Sequence, residues 1–482
     1  MNHHRISRQG STLLISLAFL AILFAAGAVT FNLLQLRYRQ AHQTAAWQEA
    51  LMASEGGIDL AVNEMRKELW DPTHAWESWS DTPLAGIPTS TAGAVYYTSN
   101  VLLREGEGGQ RSYSKVSVDA PAFLVDKSGE QWYRVRSLGI ASISGGSVAA
   151  GDKLDLRLRK FDLKTDRRTG NKVQPQASRL IEAIVKPVGT FRLALFGVKT
   201  IDMNNANIVV DSYDSRDTAK STNGFYDVAK RQENGDIATN GTLIDAGSAH
   251  VYGDAATNTG GTVLNATNVT GEIRDDFYQD TFAVSKPNVV ATAGTPSSIT
   301  AGTVINAAAG DPTQVIVSQI KMSGSEVLRI KGAADGSATY AQITVNGDIA
   351  LSGNSQIVLD PGVHIRIFVS GDADIAGNGV SNPNSPLNLQ FYGLDRAVNT
   401  DGSPVSPGSM KIAGNGGFRG TVYAPTYNVN MVGGGNTDSI YGSFVGWTVR
   451  LTGVQSVHYD EALADGGLIA DYKVVSWFED TR

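Results

Sequence analysis

The stretch Ser11 to Leu36, STLLISLAFLAILFAAGAVTFNLLQL, constrains the rest of the chain. No formal charge falls between Thr12 and Leu34, and the polar residues there (Thr12, Ser16, Thr30, Asn32) are small. About 23 residues at about 1.5 Å each match a hydrocarbon core of about 30 Å. An unpaired peptide group is costly in lipid, so the run is expected to cross as a helix. Thr12, Leu14, Leu17, Phe19, Leu23, Phe31 and Leu34 are its candidate membrane-contacting members. Helical signal continues beyond it. The first proline is Pro72, and Ala41, Ala45, Met52, Ile58, Val62, Met65 and Leu69 recur at helical spacing opposite Glu49, Glu64, Lys67 and Glu68. The expectation is one helix from Ser11 to about Trp70, roughly 90 Å long, with Gly56-Gly57 as its weakest point.

Arg8-Gln9-Gly10 ahead of Ser11-Thr12-Leu13-Leu14-Ile15 resembles the leader junction of the type IV pilin superfamily. Ala50-Leu51-Met52-Ala53-Ser54-Glu55-Gly56-Gly57 resembles the alanine-rich A-x-E segment of PilX-like minor pilins. In that family a membrane peptidase cuts after the glycine and the new N-terminus is methylated. The resemblance therefore implies processing between Gly10 and Ser11. Most major pilins carry Glu at the fifth mature position. Ile15 stands there instead, as in some minor pilins of filament tips, which implies a tip, priming or low-copy subunit. The resemblance spans about the first seventy residues. It implies a single pass in a bacterial inner membrane, a cytoplasmic N-terminus, and other pilin-like subunits as partners through the helix. Two other readings of the segment stay open. A cleaved secretory signal would use Ala26-Gly27-Ala28, and an uncut anchor would need no pilus at all. Charge does not orient the segment, because Arg5 and Arg8 are balanced by Arg37 and Arg39.

The chain of 482 residues exceeds one ordinary domain. A net charge of -7 argues against a nucleic-acid partner. It contains no cysteine, so packing and backbone hydrogen bonds must hold any exported part together. Its 52 glycines crowd the second half among Asn, Ser and Thr, as β structure with tight turns requires. The expected class is α+β or mainly β. Its expected parts are a basic leader (1–10), the helix (11–70), a small antiparallel β head (71–195), a right-handed parallel β-solenoid (196–463) and a C-terminal capping strand (464–482).

In the head, Trp70 to Gly93 reads as a loop packing Trp70, Trp76 and Trp79 on the helix. Strands are expected at Gly93–Leu103, Ser114–Val118, Gln131–Leu138, Lys153–Phe161 and Arg179–Lys186, with Lys160–Lys172 as a solvated basic loop. Tyr133-Arg-Val-Arg-Ser-Leu-Gly139 resembles a strand of pilin-like heads. The solenoid expectation rests on repeats. Val345 to Asn354 recurs as Val369 to Asn378, Ile375-Ala-Gly-Asn-Gly379 recurs at Ile412, and Gly420 to Ala424 is answered by Gly442 to Gly446. Gly235 to Gly241 is an earlier echo. Such rungs would turn Ile349, Leu351, Ile357 and Leu359 inward, about ten rungs in all. A β-sandwich with similar turn spacing is the competing architecture. The region Gly347 to Leu463 is similar to the solenoid-like C-terminal part of pilus-associated surface proteins. Leu468 to Glu479 would cover the end of the stack.

Catalytic chemistry finds little purchase. Asp275-Asp276, Asn436-Thr437-Asp438 and Arg329-Ile330-Lys331 are similar to fragments of polygalacturonase motifs, but they stand out of order and without Gly-His-Gly. Asp211, Asp214 and Asp217 have the residue type for Ca²⁺ but read better as turn aspartates. Gly433 to Tyr441 matches a calcium nonapeptide only once and imperfectly, and His250, His364 and His458 stand apart. The expectation is a protein with no catalytic, metal-binding or cofactor-binding residues, displayed at the cell surface for assembly or adhesion to a glycan or protein of unspecified kind. The rival functions are a polysaccharide-active enzyme and a membrane-anchored scaffold.

Overall fold

The computed structural model describes residues 9–70, 75–77, 79–80, 95–105, 111–121, 123–124, 131–143, 176–203, 208–414, 417–433, 439–453 and 456–480. The chain divides into two compact units, Met1–Lys186 with Tyr472–Arg482, and Pro187–Asp471.

In the first unit, the apolar run and its amphipathic continuation form one helix, Gln9–Trp70. It does not break at Gly56-Gly57. A Cβ at position 57 would run into the Ser137 hydroxyl and reach within 2.9 Å of Ser114 Oγ and Val116 Cγ2. A Cβ at Gly139 would collide with the Ala50 carbonyl and with the Ser54 backbone nitrogen of the helix. Gly139 lets the strand and helix backbones approach closely, and Gly57 leaves room on the helix for the Ser114, Val116 and Ser137 side chains. Ala46, Ala50, Ala53, Ser54, Ala61 and Met65 complete the buried face, three or four residues apart around the helix.

That face lies on a five-stranded sheet ordered Val95–Glu105, Arg111–Asp119, Tyr133–Ser142, Gln176–Gly189, Ile469–Asp480. The first four strands pair antiparallel. Arg134 donates to Asp119 at 2.6 Å and Arg136 to Glu182 at 2.9 Å, which neutralises the charges of adjacent strands. Trp76 donates its indole N–H to Glu68 and its backbone N–H to Glu64, so the helix does hold part of the expected aromatic loop. The Lys153–Phe161 strand and the Lys160–Lys172 loop fall outside the described residues. The C-terminal strand departs from expectation. It is hydrogen-bonded beside Gln176–Gly189 instead of covering the end of a stack, with Arg179 paired to Glu479 and Tyr133 edge-on to Tyr472. Its alternation and aromatic content suit any sheet edge, and position in the chain does not say which.

The second unit is built from parallel ladders: a nineteen-stranded sheet that does not close on itself and a separate four-stranded one. The repeat in the sequence is the register of the ladder. Val345 lies opposite Val369, Leu351 opposite Ile375, Gly420 opposite Gly442, and Ala424 opposite Gly446. The named strands of this unit pair only in parallel, with antiparallel contacts confined to isolated bridges such as Ser212–Gln232, which argues against the sandwich alternative. Ile349, Leu351, Ile357 and Leu359 are buried, as expected. Each contributes on the order of 1.5–3 kcal/mol by leaving water.

The strand order is not the chain order. Ser439–Thr452 is flanked by Phe418–Gly433 on one side and by Leu195–Asp202, the first strand of the unit, on the other. Residues 195–274 stack away from this junction in one direction, and residues 303–433 lead up to it from the other. The connecting segment 275–298 runs along the stack. The Gln279 N–H donates to Asn240, Phe282 stacks on Tyr423 at 4.4 Å, Asp395 N–H donates to the Val284 carbonyl, and Thr292 N–H donates to Gln314.

Candidate functional site

The first half of the helix is bare. Leu14, Leu17, Phe19, Leu23, Phe31 and Leu34 are each between 56% and 72% exposed. Burial begins near Ala46. Thr30 returns its hydroxyl to the Ala26 and Gly27 carbonyls at 3.0 and 2.9 Å, so this polar residue asks nothing of its surroundings. The helix has the length and composition to cross a membrane. Gly10, Ser11 and Thr12 are helical in backbone; residues 1–8, with Arg8 of the junction, fall outside the described residues.

The second unit carries a row of outward side chains. Arg419, Tyr441, His458 and Asp211 lie opposite one another across four neighbouring parallel strands. Their neighbours Phe418, Ile440, Val457 and Val210 point into the core, so period-two alternation sends this row outward. His458 Nδ1 meets Asp211 Oδ1 at 2.5 Å, and the Tyr226 hydroxyl donates to Asp211 Oδ2 at 2.7 Å while its ring stacks on His458 at 3.6 Å. A polar cover over residues 214–234 thereby seals one end of the row. Glu461 holds that cover by accepting from Ser212, Lys220 and Asn234, and Arg216 bridges Asp214 and Asp465.

Electrostatics follow from this burial. Desolvation pushes the Asp460 carboxyl up, against hydrogen bonds from the Ser215 and Ala462 backbone. Among the described residues its Oδ2 has no partner, nor does the buried Tyr213 hydroxyl, whose pKa desolvation and the Asp460 charge raise. Burial also works to raise Asp214, but the Arg216 guanidinium outweighs it and holds the carboxyl low.

At the other end the row opens. A cavity of about 300 Å³ is lined by Asn378, Ser381, Asn382, Arg419 and Tyr441. The Arg419 guanidinium sits over the rings of Phe225 and Tyr441.

Of the sequence candidates, Asp211, Asp214 and Asp217 do not converge: the first serves His458 and Tyr226, the second Arg216, and the third caps the Ala219 N–H. Among the described residues no group of three or more His, Asp or Glu could hold a metal ion. The imperfect nonapeptide and Asn436-Thr437-Asp438 lie largely outside the described residues. Asp275 and Asp276 are exposed, and Arg329 pairs with Asp360. His458 does not stand apart as expected. Its carboxylate partner lies 247 residues away, and no sequence spacing signals it.

A protein-family profile described as a domain of unknown function (DUF7305) matches residues 328–466. No curated protein matches the chain. Among solved structures, the competence-associated pilin ComZ from Thermus thermophilus aligns at 10% identity over 90% of this chain and 97% of that one, with a TM-score of 0.25.

Proposed function

We propose that the chain is a PilX-like minor pilin, anchored by its N-terminal helix in a bacterial inner membrane and presenting a right-handed β-solenoid in a pilus or pseudopilus for assembly or adhesion. One observation carries the reading. A single helix is bare and apolar over its first half and covered by an antiparallel sheet over its second. The bare half suits lipid before assembly and the helices of like subunits after it. Parallel ladders at a repeat of about two dozen residues support the solenoid. A non-enzymatic role is supported by the sealed row, where Asp211 is fully buried and His458 is 5% exposed, which keeps substrate from both.

N-terminal sequencing of the protein recovered from membranes tests this. Ser11 as first residue is the expected result. Val29 would mark a cleaved secretory signal and sink the anchor, and Met1 would leave an uncut anchor with no pilin processing.

A further inference from the structure

The outward row ends on a cation with nothing to hold. Arg419 Cζ lies 4.5 Å from the centre of the Phe225 ring and 4.6 Å from that of Tyr441, so two aromatic faces fix its plane. Its carbonyl accepts from Asn382 Nδ2 at 3.0 Å, which ties the strand to the turn beyond Ser381. The guanidinium makes no ion pair or hydrogen bond among the described residues, and its Nη1 is buried without a partner. The Nε–Nη2 edge of the rigid fork, which is not buried, is thus positioned with its three N–H donors unused among the described residues.

The cavity beside it supplies complementary groups. Asn382 is committed, giving its amide hydrogens to Ser385 and Arg419 and accepting from the Asn384 N–H. Asn378 spends only its Nδ2, on the Asn354 carbonyl. Asn378 Oδ1 and the hydroxyls of Ser381 and Tyr441 have no hydrogen bond among the described residues, and all three residues line the same cavity.

We infer that this cavity binds a carboxylate-bearing saccharide, with Arg419 clasping the carboxylate of a uronic acid residue while Asn378, Ser381 and Tyr441 meet its hydroxyls. A planar fork matches a carboxylate in two parallel hydrogen bonds. A phosphate site would draw several cations, and here one cation is surrounded by neutral donors and acceptors, the company that sugar hydroxyls require. The volume of about 300 Å³ suits one residue of a chain and is at the small end of ligand sites. The inference stands on residues of the parallel body alone, so it survives or fails apart from the anchoring role.

Full-length protein in a detergent without a sugar headgroup is titrated calorimetrically with glucuronate, glucose, acetate and inorganic phosphate. Glucuronate is expected to bind saturably, with the other three at least tenfold weaker. Arg419→Gln lowers glucuronate affinity at least tenfold. Should that variant unfold, Ser381→Phe fills the cavity from an exposed position, leaves the guanidinium in place, and gives the same loss. Glucose equal to glucuronate overturns the carboxylate role, and acetate or phosphate equal to it overturns the saccharide. No saturable binding of glucuronate, or a folded variant binding like the parent, overturns the site itself.

Discussion

The helix-and-sheet unit and the parallel body solve the same packing problem in opposite ways. In the first, alanine, serine and glycine remove side-chain volume so that helix and strand come close, backbone against backbone at Gly139 and helix against small strand side chains at Gly57. In the second, large apolar side chains fill the interior, with Phe391, Tyr392, Tyr423 and Phe444 fully or almost fully buried. A contact made by absent atoms has no slack for addition. A core filled by stacked side chains has none for removal, but spreads a loss over neighbouring strands.

The sharpest way to break this contrast is Gly139→Val. Its Cβ meets helix backbone, which cannot swing aside as a side chain would. The expected cost is more than about 3 kcal/mol. Hydrogen exchange is expected to rise across residues 111–142 and to stay unchanged across 363–369. Equal deprotection of both would abolish the distinction.

Ile367→Ala tests the other side. Ile367 is fully buried between Ile343 and Phe391, so truncation should cost about 3 kcal/mol. Exchange is expected to rise in those flanking strands and fade beyond them. Deprotection of the whole body would mean that its strands do not share the loss.

Tyr226→Phe probes polar burial: the helix-and-sheet unit pairs its buried Asp119 with the cations Arg134 and Arg136, whereas Asp211 is held by His458 and the Tyr226 hydroxyl. The substitution leaves Asp211 Oδ2 without its donor at a fully buried carboxylate, at a cost of about 2 kcal/mol in thermal unfolding.

The smallest effect has the opposite sign. Burial raises the Asp460 pKa above the unfolded value of about 3.9. Its favourable contribution is therefore full below about pH 4 and is lost as pH rises through the folded value. Asp460→Asn keeps an acceptor for the Ser215 and Ala462 N–H groups and carries no charge. It should be more stable than the parent at pH 7 and match it near pH 4, read as unfolding midpoints across pH. Asp214 works the other way. Its lowered pKa contributes above about pH 4 and is lost as pH falls, so replacing it should not mimic Asp460→Asn.

Much of the fold could be read from residue spacing, because spacing records neighbours that follow one another. Val345 and Val369, 24 residues apart in the sequence, are ladder partners. The helical period places Ile58, Val62 and Met65 on the buried face but also Ala41, Ala45 and Met52, which are exposed because the covered face runs instead through Ala46, Ala50 and Ala53. Partners brought together out of order leave no such trace. Phe444 beside Leu195, His458 beside Asp211 and the tail strand beside Gln176–Gly189 depend on which shapes and charges meet after the chain has turned back. Arg419 carries no sequence signal for a related reason: its place between the Phe225 and Tyr441 rings is made by segments far apart in the chain. Gly56-Gly57 reads as a weak turn in the sequence and is a site of close contact in the unbroken helix, since period alone does not distinguish the two.

Synthesis from the N-terminus releases residues 195–274 long before the strand that borders them. Leu195–Asp202 must wait with one edge open until Ser439–Thr452 has been made. The body is finished by a keystone laid near the end of synthesis, so it cannot zip shut as it emerges. A truncation just before that keystone would leave two separated half-stacks, each with a raw edge facing the gap.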